Sequence, residues 1–155
     1  MSQVACDGLE VYCSVAGSSH VFVYTCTDTT QILQDVLQPG HGAGTIWQLQ
    51  VGLNILVAIT ETSVLIWRKH APRDLVARIR HSSQGEPYLH VEDDVLVVPG
   101  DSKCVCRVLL YDKYTNNISC VRDLDHKKYW VLGAHLGTLR IFTILFCSII
   151  ILRKE

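Results

Sequence analysis

Asn54-Ile-Leu-Val-Ala-Ile-Thr60 and Ser63-Val-Leu-Ile-Trp-Arg-Lys69, parted only by Glu61-Thr62, decide the fold. Short apolar runs rich in β-branched residues and bounded by turn residues read as strands, and a brief polar break between two of them reads as a hairpin. The same arrangement recurs on either side. Val11-Tyr-Cys-Ser-Val-Ala-Gly17 precedes His20-Val-Phe-Val-Tyr-Thr-Cys26, and Val95-Leu-Val-Val-Pro-Gly-Asp101 precedes Val108-Leu-Leu-Tyr-Asp-Lys113. Tyr129-Trp-Val-Leu-Gly-Ala-His135 precedes Thr138-Leu-Arg-Ile-Phe-Thr-Ile144. The third connection, carrying Ser102-Lys-Cys-Val-Cys106, is longer than the others. Further apolar runs at 32–37, 46–51, 75–79, 88–91 and 118–121 supply flanking strands for four-stranded units. No amphipathic helical stretch competes with these runs.

The pairs keep a repeat-like distance. Tyr24, Trp67 and Tyr111 end corresponding strands 43 and 44 residues apart, whereas Phe142 follows Tyr111 by only 31. The last unit has therefore lost a segment, most simply one strand. Four strands every 40–45 residues or so is the spacing of a β-propeller blade. An antiparallel sandwich is also rich in hairpins, but the recurring aromatic favours the propeller. The expectation is an all-β chain, a partial β-propeller of about three and a half four-stranded antiparallel blades. Residues 1–144 form the propeller segment and 145–155 an apolar tail.

At these residues the sequence resembles the WD-repeat family. Gly40-His41 is similar to the Gly-His pair that opens a repeat, and Ile66-Trp67 to the end of its third strand. Leu110-Tyr111-Asp112 stands where the Trp-Asp dipeptide would be, with Tyr for Trp. Leu132-Gly-Ala-His-Leu-Gly-Thr-Leu-Arg-Ile-Phe142 resembles the family's small-residue turn feeding a Thr-x-Arg-x-aromatic strand. The resemblance implies a buried hydrogen-bond network, to which His41, Thr60 and Trp67 would contribute. Glu61-Thr62-Ser63 offers no turn Asp to complete it, so the repeats are divergent. The resemblance also implies a binding surface of the kind used to assemble protein complexes.

Propellers close into rings of about four to eight blades. Three and a half do not close, so the chain is expected to be a fragment or isoform of a longer propeller, with two copies completing one ring as the other possibility. Residues 141–152 form an unbroken apolar run of 12 residues before Arg153-Lys-Glu155. A spanning helix needs about 20. A buried strand or a substituted chain end is preferred to a tail anchor in the membrane.

With 48% apolar and 19% charged residues the chain is globular, and its net charge of -1 with scattered basic residues argues against nucleic acid as a partner. Met1-Ser-Gln-Val-Ala-Cys-Asp-Gly8 has no basic start and no apolar core, so no secretory signal is read there. The seven cysteines are then expected as reduced, mostly buried thiols in a cytoplasmic protein, with the nucleus as the alternative location.

Reactive arrangements are not apparent. Cys104-x-Cys106 has no second pair at metal-ligand spacing. Gly17-Ser-Ser-His20 and Gly100-Asp-Ser102 fall in hairpin turns, where such residues are routine. Pro39-Gly-His-Gly-Ala-Gly-Thr45 lacks a following Lys-Ser/Thr and leads into a strand, not a phosphate-binding helix. Glu92-Asp-Asp94 reads as a solvated turn, and Asn117-Ile-Ser119 is a glycosylation triplet only if the chain is secreted. No metal, cofactor or catalytic residue is expected.

The densest basic stretch, Arg68, Lys69, Arg73, Arg78 and Arg80, reads first as a solvated rim and second as a docking patch for an acidic or phosphorylated protein. The expected function is a non-catalytic scaffold or adaptor for other proteins. The alternatives are a truncated regulatory or inactive isoform, a tail-anchored protein and an enzyme on a propeller scaffold.

Overall fold

Alternating apolar residues bury one face of a sheet, and continuous apolar runs bury both. This distinction organises the whole chain. The computed structural model describes residues 2–81, 89–100, 105–125, 129–135, 140–145 and 149–152. The first sheet holds β1 (Gln3–Asp7), β2 (Glu10–Ser14), β3 (Val21–Cys26) and β4 (Gln31–Leu37). The second holds β5 (Ile46–Val51), β6 (Ile55–Thr60), β7 (Ser63–Arg68) and β8 (Leu75–Arg80). The third holds β9 (His90–Glu92), β10 (Val95–Pro99), β11 (Val105–Asp112) and β12 (Asn117–Asp125). The fourth holds β13 (Tyr129–His135), β14 (Arg140–Leu145) and β15 (Ile149–Leu152).

Within each sheet the strands pair antiparallel in chain order. The first strands lie beside one another across each seam, β1 with β5, β5 with β9 and β9 with β13. β8 and β12 also meet at the opposite margin of the second seam. The result is an arc of blades, a partial β-propeller. Three sheets have four strands, and the fourth has three among the described residues.

Coverage on both faces explains the apolar runs of the two middle strands of the second sheet. Every residue of β6 is buried, and in β7 only Arg68 is not. Leu56, Ala58, Leu65 and Trp67 pack with Tyr12, Val21, Val23 and Leu37 of the first sheet. The alternate residues Ile55, Val57, Ile59, Val64 and Ile66 pack with Leu96, Val98, Leu109 and Tyr111 of the third. One central sheet thus serves two cores.

β1 is the strand that apolar patterning missed, because Gln3–Asp7 holds mostly exposed or half-buried residues. It is identified by its pairing with β2, from Gln3 opposite Ser14 to Asp7 opposite Glu10. In the tail, Ile149–Leu152 pairs with β14, Ile141 opposite Leu152 and Ile144 opposite Ile149. No helix among the described residues is long and apolar enough to cross a membrane.

Candidate interaction surface

The repeat places equivalent residues on equivalent faces. Cys13 pairs with Phe22, Ala58 with Leu65, and Leu96 with Leu109. Leu65 and Trp67 pack back onto the first sheet, and Leu109 and Tyr111 pack back onto the second. Trp67 is only 1% exposed and Tyr111 only 4%. By the same register Phe22 and Tyr24 belong to the face of the first sheet that points away from the second. No described sheet lies against it, and both residues are half-buried.

That outer face has a uniform chemistry. The register adds Val4 and Cys6 of β1, Val11 and Cys13 of β2, and Leu33 and Val36 of β4. None of them is charged. Val4 is 61% exposed and Leu33 49%. Large exposed apolar patches on soluble proteins mark interaction sites, and this one is built as the mating face between blades.

Polar groups are concentrated on the seams. At the first seam, the Lys69 ammonium is buried, donates to the Asp7 carboxylate, and lies 3.3 Å from the Gly52 carbonyl that it also bonds. Arg73 Nη2 donates to Glu10 Oε1 at 2.7 Å, and its Nη1 lies 3.9 Å from Asp35 Oδ2. The Tyr12 hydroxyl donates to Glu10 as well. Burial pushes that hydroxyl's pKa above its ordinary value, and Glu10 adds to the shift by hydrogen bond and charge.

The second seam is latched at its turn by hydrogen bonds from neutral donors. Asp94 accepts from the Asn54 backbone N–H at 2.9 Å and from Asn54 Nδ2 at 2.7 Å. Gln50 bridges to β9 from both ends of its amide, donating to the Leu89 carbonyl and accepting from the Val91 N–H, each at 2.8 Å. The Leu53 N–H donates to the Asp93 carbonyl at 2.7 Å. The backbones approach so closely here that a Cβ on Gly52 would sit 2.1 Å from that carbonyl oxygen. Glu92 closes β9 and Asp93-Asp94 is the turn, a latch between blades and not merely a solvated one.

The basic stretch is corrected in the same way. Lys69 and Arg73 are consumed by the first seam. Arg78 grips the connector between the first two sheets, donating to the His41 carbonyl at 2.8 Å and the Gly42 carbonyl at 2.7 Å. Arg80 is exposed and Arg68 half-buried. The five do not form one free docking patch, because three hold the arc together.

Nor does the structure join His41, Thr60 and Trp67 in one network. His41 is exposed and engages Arg78 through its carbonyl. Thr60 Oγ1 donates to the Ser63 carbonyl and accepts from the Ser63 N–H, both at 3.1 Å, closing its own hairpin. Trp67 sits in the apolar core. The histidine that reaches this hairpin is His81, whose Nε2 lies 3.0 Å from the Thr60 carbonyl and whose N–H donates to the Thr62 carbonyl.

Cys6 and Cys120 are exposed and Cys13 and Cys26 half-buried, against the expectation of burial. Cys106 is buried, which raises its pKa to about 11. Cys104 and Cys147 lie outside the described residues. Among the described residues no group of three or more His, Cys, Asp or Glu side chains is placed to hold a metal ion. Ser18 and His20 form a local turn, with the His20 N–H donating to Ser18 Oγ at 3.1 Å.

No protein-family profile matches the chain. No curated protein matches it either. Solved structures do. Sqt1 of Saccharomyces cerevisiae, 11% identical, aligns over 91% of this chain and 41% of its own with a TM-score of 0.67. Atg21, solved as KlAtg21 with the coiled coil of AgAtg16, is 16% identical over 79% of this chain and 41% of its own, with a TM-score of 0.64. A putative 6-phosphogluconolactonase of Bacteroides fragilis is 13% identical over 81% of this chain and 38% of its own, with a TM-score of 0.60. At such identities the likeness shows the fold, a β-propeller. The chain spans about two-fifths of the length of the structures it matches.

Proposed function

We propose that this chain is a non-catalytic protein-interaction scaffold built on divergent WD-like repeats, an arc of a propeller whose remaining blades come from outside these 155 residues. The observation that carries this reading is the outer face of the first sheet. It repeats the register of the two buried seams, bears no charge, and leaves Val4 and Leu33 exposed. A face of this composition gains free energy by being covered with protein, at roughly 25 cal/mol per Å² of apolar surface removed from water. Atg21, a propeller of similar architecture, is seen with a coiled coil of another protein; the proposal extends protein partnership to this chain. It places the protein in the cytoplasm, where an exposed thiol such as Cys6 stays reduced.

The test is quantitative affinity capture of the tagged chain from cell lysate, beside a Tyr24→Asp variant. The expected result is a defined set of proteins at stoichiometric yield that the variant loses. Recovery of chaperones alone, or of one set by both chains, would overturn the scaffold reading.

A further inference from the structure

We draw no further inference here: the strongest candidate, the surface patch formed by the β5–β6 and β9–β10 turns, where Leu53 is 56% exposed beside exposed Asp93, sets one apolar side chain on an acidic turn, and nothing in the structure shows what covers it.

Discussion

The seam between the first and second sheets and the seam between the second and third both bury apolar side chains, yet they are fastened by different groups. The first has two large aromatics, Tyr12 and Trp67, in its core and two cations, Lys69 and Arg73, on three carboxylates. The second has a mostly aliphatic core with Tyr111. It is latched by Gln50, which bonds two backbone groups at 2.8 Å, and by the Asp94 carboxylate, which accepts from the Asn54 N–H at 2.9 Å and from Asn54 Nδ2 at 2.7 Å. Attraction between opposite charges is screened by salt, whereas hydrogen bonds from neutral donors depend chiefly on geometry. One blade-to-blade arrangement therefore tolerates either chemistry, and the two seams should fail under different conditions.

The largest effect is expected from emptying the first core. Trp67→Ala should cost about 3–5 kcal/mol, read as a fall in the denaturant midpoint. Gly52→Ala attacks the second seam by overpacking. The obstacle is the Asp93 carbonyl, which is backbone, so a loss of about 3 kcal/mol is expected. An unchanged midpoint would show that the turns can separate.

Asp94→Ala leaves both Asn54 donors unpaired and should cost about 1–3 kcal/mol, with little change between low and high salt. Asp7→Ala strands the buried Lys69 ammonium and should cost about 1–2 kcal/mol, discounted because Asp7 is itself nearly half exposed. Its cost should shrink in high salt and be partly recovered in Asp7→Ala/Lys69→Met. Equal salt dependence of the two variants would erase the contrast between the seams.

The smallest effect is in the alkaline limb. Cys106 keeps its proton in the folded chain to about pH 11, above the ordinary 9.0. Its contribution is present in full below pH 9 and is lost as pH rises toward 11, because the unfolded thiol then ionises first. Cys106→Val should flatten that part of a stability–pH curve. In alkylation at pH 8, exposed Cys6 should react well before Cys106.

Strands were legible wherever burial forced the sequence to be apolar. β6 and β7 are buried on both faces and read without ambiguity. β1 was invisible because nothing described covers its outer face, and only pairing with β2 makes it a strand. The candidate site was harder to read. Lys69 and Arg73 stand out as charges in the sequence, but their partners Asp7 and Glu10 lie 62 and 63 residues away. Asp94 finds Asn54 across 40 residues. A linear reading sees one half of each pair and takes it for a free surface. The apolar outer face was foreseeable in principle from the repeat, since Tyr24 stands where Trp67 and Tyr111 stand.

Trp67 and Tyr111 both lean toward the sheet made before their own. During synthesis each new blade therefore emerges with its docking surface already waiting, and the chain can be laid down in order from the amino terminus. Among the described sheets, the same polarity leaves the first with none behind it. Phe22 and Tyr24 are the third-strand aromatics that no described sheet shelters.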